Sequence, residues 1–146
     1  MNIQIIVGSV TGNADELADK VRILLQDYGH DIRINRTFTP TDLAGDDFLI
    51  LCHSNTGAGD LPDNILPLYL HLTRDYPRIA GRRYAVINLG DSSYATFNEA
   101  GRMLDAAFED LGAVKCGESL VFDASEDEKI TQRLTDWITA LNPLLS

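Results

Sequence analysis

A run of small and hydroxyl residues, Gly8-Ser9-Val10-Thr11-Gly12-Asn13-Ala14, follows a short apolar segment and opens a stretch of helical spacing. In such a turn several backbone N–H groups converge on an anion, and the positive end of the following helix adds to the attraction. The Ser9 and Thr11 hydroxyls add donors, and Asn13 suits a helix N-cap. No Lys or Arg lies in the run, so a phosphate bound here would be neutralised by dipoles alone. The run is not GxxxxGK[ST], and GxGxxG would need glycine at Val10 and Asn13. An ordinary capped strand-to-helix turn is the competing reading.

Two further loops carry chemistry of the same kind. Ser54-Asn55-Thr56-Gly57-Ala58-Gly59-Asp60-Leu61-Pro62-Asp63-Asn64 has two closely spaced glycines, which allow backbone to approach a flat ligand. A flexible polar turn would have the same composition. Leu89-Gly90-Asp91-Ser92-Ser93-Tyr94-Ala95-Thr96-Phe97-Asn98 sets two aromatic rings in a polar loop where no core demands them. Tyr94 is the better candidate to stack on a planar ring, a contact that contributes about 0.5–1.5 kcal/mol beyond area burial. Phe97 could equally pack the loop onto the domain. An anion cradle, a glycine rim and an aromatic platform together suit a phosphorylated planar heterocycle, a joint requirement more specific than any one loop.

Other chemistries lack their residues. A phosphoryl-accepting receiver needs acidic side chains where Gly8 and Ser9 stand, and a Cys-x5-Arg phosphatase loop starting at Cys52 would find Ala58 in place of arginine. His53 adjoins the second loop, but one histidine there is more often structural than catalytic, and no metal-ligand spacing exists. Cys52 and Cys116 have no CxxC spacing and read as buried free thiols of an intracellular protein.

The elements that must position these loops alternate. Strands are expected at residues 3–7, 32–37, 48–52, 84–89 and 120–122. The first, third and fourth are nearly continuous apolar runs, as in central parallel strands covered on both faces, whereas the second alternates like an edge strand. Ala14, Leu17, Ala18, Val21, Leu24, Leu25 and Tyr28 make one helical face, stopped by Gly29. Ala100, Met103, Leu104, Ala107, Phe108 and Leu111 make another, stopped by Gly112, and Ile130, Leu134, Trp137, Ile138 and Leu141 a third before Pro143. A helix over 65–76 must hold Pro67 in its first turn. Only a short helical turn fits between the second and third strands. This pattern gives an α/β/α sandwich around a five-stranded parallel sheet of order 2-1-3-4-5, with ligands expected at the carboxyl ends beside the switch point.

The 146 residues suit a single domain, 1–146, large enough to bury a core without disulfides or a structural metal. With 12 Lys+Arg against 22 Asp+Glu the net charge is −10, which argues against nucleic acid and against anionic membrane surfaces. It favours a basic partner surface, or solubility alone. The longest apolar run, 48–52, is far shorter than the roughly 20 residues of a membrane-spanning helix, and no signal segment precedes the first strand. A cytoplasmic location is expected.

At these residues the sequence resembles the short-chain flavodoxin family, most closely its MioC/YqcA-like members and the FMN domains of diflavin reductases. Ser9-Val10-Thr11-Gly12-Asn13-Ala14 is similar to the family's FMN-phosphate loop, [ST]-x-T-G-[NT]-[AT], and the other two loops to its second and third flavin loops. The resemblance covers essentially the whole chain. It implies that Ser9, Val10, Thr11, Gly12, Asn13 and Ala14 form the phosphate loop, and that Tyr94 stacks on one ring face. It implies that Gly57 turns its backbone to the flavin N5, within a loop that includes Ser54, Asn55, Thr56 and Gly59. Leu89, Gly90, Asp91, Phe97 and Asn98 would form the third side, towards the pyrimidine end. Thr56 stands where many members carry Trp or Tyr, leaving that ring face more open.

The implied function is that of a monomeric electron carrier, not an enzyme. FMN would accept electrons from a separate NADPH-dependent flavin reductase and pass them singly to a metabolic redox enzyme, since the chain has no room for a nicotinamide-binding domain. Asp60, Asp63, Asp91 and Glu99 would lower the flavin potential and steer basic partner surfaces into contact. The rival from another class is a flavodoxin-like interaction or regulatory protein that binds FMN weakly or not at all.

Overall fold

The computed structural model describes residues 1–8, 13–54, 65–90, 99–123 and 130–145. Six strands form one sheet: β1 (Asn2–Gly8), β2 (Asp31–Asn35), β3 (Phe48–Ser54), β4 (Arg83–Gly90), β5 (Val114–Lys115) and β6 (Leu120–Asp123). All pairs are parallel and the order is β2-β1-β3-β4, with β5 and β6 sharing the fifth position beside β4. The expected order 2-1-3-4-5 is therefore observed. The extra strand, β5, arises because Gly117, at φ +75°, breaks the last strand into two short pieces.

The central apolar runs form β1, β3 and β4 because neither face meets water. On one face Ile3, Ile5, Phe48, Ile50, Ala85 and Ile87 pack under α1 (Asn13–Asp27) and α4 (Ile130–Leu141). On the other, Ile6, Leu49, Leu51, Tyr84 and Val86 pack under α2 (Leu66–Leu70) and α3 (Glu99–Asp110). The side-chain period of two divides these sets, so each central strand feeds both cores. β2 lies at the edge, where its alternation is expected.

Helix ends follow their glycines. Gly29 and Gly112 adopt φ +87° and +83°, left-handed conformations that end α1 and α3. Tyr28 lies beyond the last residue of α1 and is 47% exposed, so it leaves the buried face expected for it. The second strand stops at Asn35 rather than residue 37, because the Asn35 Oδ1 accepts the Thr37 backbone N–H at 3.0 Å and turns the chain. Pro67 sits in the first turn of α2, and the helix continues as a π-turn, His71–Asp75. The Thr73 hydroxyl donates back to the Tyr69 carbonyl at 3.0 Å within that turn. The short turn between β2 and β3 is a 3-10 helix, Pro40–Leu43.

The amino-terminal side of the sheet is locked by a polar network. Buried Gln4 donates through Nε2 to the Asp42 carbonyl at 3.0 Å and to Asp47 Oδ2 at 3.1 Å, and accepts from Asn35 Nδ2 at 2.9 Å. Arg82 closes the network from the start of β4, reaching the Leu43 and Gly45 carbonyls and both a carbonyl and a carboxylate oxygen of Asp47. These bonds tie the segment before β3 to the opposite end of the sheet from the candidate site. Among the described residues no helix is long and apolar enough to cross a membrane.

Candidate functional site

The sheet register brings three loop origins together. Gly8 pairs with His53, Ser54 with Leu89, and Gly90 with Asp123. The segments leaving β1, β3 and β4 therefore start side by side at the carboxyl edge, where parallel α/β sheets bind ligands. Asn13 begins α1, a 15-residue helix whose first-turn N–H groups have no partner within the helix.

Of the expected site residues, Asn13, Ala14, Ser54, Leu89 and Gly90 lie in the described structure. Ser9, Val10, Thr11, Gly12, Asn55, Thr56, Gly57, Gly59, Asp91, Tyr94, Phe97 and Asn98 lie outside the described residues. Ala14 and Leu89 belong to the core between the sheet, α1 and α4, so their methyl groups pack the scaffold. What Ala14 can offer a ligand is its backbone N–H. Ser54 is buried at the last position of β3.

Gly8 shows how closely the end of β1 approaches the residue that follows the second loop. A Cβ built there would lie 2.5 Å from Ile65 Cβ and 2.8 Å from Ile65 Cγ2. Ile65 is the first described residue after the second loop and is fully buried. The start of the phosphate-type loop and the return of the glycine-rich loop thus share one contact, available only to a residue without a side chain. Gly8→Ala is expected to cost about 1–3 kcal/mol in urea denaturation, as an overpacked core does. Because the nearest atom is Ile65 Cβ, Ile65→Ala should not relieve that cost. In an Ile65→Gly background the cost should shrink; an undiminished cost there would show that the contact is not what excludes a side chain.

Two buried groups near these loops have shifted acidities. Burial, aided by the charge of Asp15, pushes the Cys52 thiol up to about 12, and its Sγ donates to the Ala14 carbonyl at 3.5 Å. The thiol is therefore protonated and unreactive at neutral pH. Cys116 is also a free thiol but is only half-buried, contrary to expectation, because it lies in the break between β5 and β6.

His53 is the functional candidate that its sequence position undersold. It is fully buried, and burial lowers its pKa to about 4 against the opposing effects of the Ser54 carbonyl and Asp105. Nδ1 stands 3.3 Å from the Ser54 carbonyl, which can only accept, so Nδ1 carries the proton. Nε2 is then a buried lone pair, and it has no hydrogen-bond partner among the described residues. Alternation along 49–54 already put the ring on the face of Leu49 and Leu51; the missing partner is a tertiary fact. Among the described residues no group of three His, Cys, Asp or Glu side chains could hold a metal ion.

Comparison with known proteins agrees with this architecture. The Flavodoxin family profile matches residues 5–137. The chain is 34% identical to Flavodoxin YqcA of Escherichia coli (strain K12), over 99% of this chain and 98% of that protein. It is 30% identical to the sulfite reductase [NADPH] flavoprotein alpha-component of Mannheimia succiniciproducens, over 94% of this chain but 23% of that longer protein. Among solved structures, the flavodoxin of Streptococcus pneumonia TIGR4 superposes with a TM-score of 0.85 at 31% identity, covering 99% of this chain and 99% of that one.

Proposed function

The chain belongs to the flavodoxin family, and on that premise we propose how its own residues perform the family's work. It binds FMN and carries electrons, and it is a carrier rather than an enzyme. The cofactor supplies the redox chemistry; the protein supplies binding, orientation and electrostatics. The observation that carries the reading is the convergence of three loop origins at one sheet edge, closed tightly enough at Gly8 and Ile65 that no side chain fits. Bare backbone followed by a helix N-terminus is the arrangement that suits a phosphate.

In this reading Ser9, Thr11, Gly12, Asn13 and Ala14 hold the phosphate through N–H and hydroxyl groups. Tyr94 covers one face of the ring and excludes water from it. Gly57 sets a backbone group against N5, while Gly90, Asp91, Phe97 and Asn98 line the pyrimidine end. Asp60, Asp63, Asp91 and Glu99 disfavour added negative charge and so make the reduced protein a stronger reductant. The same carboxylates steer basic partner surfaces, an attraction that salt screens. The donor is a separate NADPH-dependent flavin reductase and the acceptor a metabolic redox enzyme, with the carrier a cytoplasmic monomer formed by the single domain 1–146. Relatives that carry a segment like this one inside sulfite reductase flavoproteins support a redox-partner role.

Titration with FMN tests the assignment. Binding should quench flavin fluorescence and shift the visible spectrum. Tyr94→Ala should weaken affinity roughly two- to twelvefold from lost stacking alone, the equivalent of about 0.5–1.5 kcal/mol. Gly12→Asp, which sets a carboxylate against the phosphate, should abolish binding at micromolar FMN. Wild-type protein that gives neither a spectral change nor a thermal shift at that concentration would instead be the regulatory relative.

A further inference from the structure

We propose that His53 is the protein's redox-linked proton site: its imidazole takes up a proton when the bound flavin gains negative charge. The inference rests on the FMN-carrier reading and adds a residue that reading does not use.

Position comes first. His53 is the last residue but one of β3, paired on one side with Gly8 of β1 and on the other with Asn88 of β4. It therefore sits in the middle of the strand ends from which the three loops leave, one residue before Ser54. Its ring is fully buried, so a charge arriving at the sheet edge acts on it with little screening by water.

The chemistry follows from the tautomer. With the Nδ1 hydrogen directed to the Ser54 carbonyl, Nε2 offers a lone pair that no other described residue occupies. Such a nitrogen resists protonation because burial penalises the cation. Negative charge nearby reverses part of that penalty. When one electron passes from the reduced donor to the carrier, the donor is oxidised by one electron, and one proton from solvent forms an N–H bond at Nε2. No bond of the cofactor is made or broken by this proton, and the net charge of the buried region is unchanged.

The surroundings are suited to such a role. On α3 Asp105 favours the cation, and it is itself held by the Tyr84 hydroxyl of β4 at 3.2 Å and by Lys115 of β5 at 2.8 Å. The remaining charged groups of α3 are Glu99, Arg102, Glu109 and Asp110. The π-turn after α2 carries His71, Arg74 and Asp75, of which His71 and Asp75 pair with each other at 2.7 Å. α2 itself carries only Tyr69, and the β1 neighbour Gly8 has no side chain. Asp105 thus favours the His53 cation, while burial keeps the imidazole neutral.

The test measures the His53 pKa by imidazole NMR in the FMN-free, oxidised FMN-loaded and dithionite-reduced protein, alongside potentiometry between pH 4 and 8. Reduction should raise proton affinity at His53 at least tenfold. Between the His53 pKa before reduction and its higher value after reduction, the second-electron potential should approach a tenfold change in equilibrium per pH unit, about 59 mV. His53→Gln and His53→Phe should flatten that slope; if one variant fails to fold, the other and the wild-type NMR titration still decide. An unchanged pKa on reduction, a shift already complete on binding oxidised FMN, or a full slope in both variants overturns the inference alone. Protein that takes up no FMN overturns the carrier reading as well.

Discussion

Replacing Arg82 by Met should lower stability by about 3–5 kcal/mol while leaving FMN affinity unchanged when both are measured well below the unfolding transition. Arg82 is only 9% exposed. Its Nε donates to the Asp47 carbonyl at 2.6 Å and its Nη1 to the Leu43 carbonyl at 3.0 Å, with the Gly45 carbonyl and the Asp47 carboxylate completing the set. Removing one partner of a buried ion pair strands the other in a low-dielectric site, which is where a penalty of about 3–5 kcal/mol arises. Here three carbonyls lose their donor at the same time, and the Asp47 carboxylate is left with the Gln4 amide on its other oxygen. For a domain of this size the loss corresponds to a fall in Tm on the order of 10–15 °C. Arg82→Lys should recover part of it at most, because one ammonium cannot replace a planar fork with donors on several sides. The site should not feel the change. Arg82 immediately precedes β4, and the eight residue steps from it to Gly90 span about 26 Å. An equal loss of FMN affinity and of stability would mean that the two ends of the sheet are coupled, contrary to this division of labour.

That division also marks how far the sequence could be read. The nearly continuous apolar runs at 3–7, 48–52 and 84–89 announced central strands because burial on both faces favours apolar side chains, with Gln4 and Asn88 as buried polar exceptions. Gly29 and Gly112 announced helix ends because the left-handed turn excludes most side chains. Three loops whose composition suits a phosphate and a planar ring could be read as a set, and the register of β1, β3 and β4 sets the strand ends they leave from side by side. What escaped was tertiary. The requirement for glycine at position 8 is imposed by Ile65, which lies far along the chain beyond the second loop. The two residues of β5 have no period to detect, and Tyr28 has a helical spacing that the helix does not reach. Arg82 reads as one of several surface arginines until its four acceptors are seen to come from the segment 43–47. Likewise, His53 reads as an ordinary polar neighbour of a loop until its buried Nε2, without a partner among the described residues, is placed.

Acid should destabilise the protein in two separable steps, the first of them set by His53. The imidazole is neutral in the fold, with its pKa lowered from 6.5 to about 4 by burial. The unfolded chain therefore binds this proton more tightly than the folded one, and stability must rise with pH wherever the two differ. Above 6.5 the group is neutral in both states and contributes no pH dependence. As pH falls from 6.5 towards 4 only the unfolded chain takes up the proton, and stability declines by an amount on the order of 3 kcal/mol for a shift of this size. Below about 4 both states are protonated and this contribution levels off. Asp42 acts in a lower window. Burial alone would raise its carboxyl, but the Thr39 backbone N–H, Asn35, the Thr39 hydroxyl and Arg33 outweigh that and bring it below 3.8. Its contribution is thus present above 3.8 and lost as pH drops through its lower folded value. Urea denaturation of the FMN-free protein at pH 7, 5.5 and 4 should show the first decline, and His53→Phe, which cannot titrate, should show a nearly flat response over that range. Asn35→Ala should leave the decline between pH 6.5 and 4 intact while weakening the pH dependence below it. A His53→Phe protein that loses as much stability between pH 7 and 4 as the wild type would place the acid-sensitive group elsewhere.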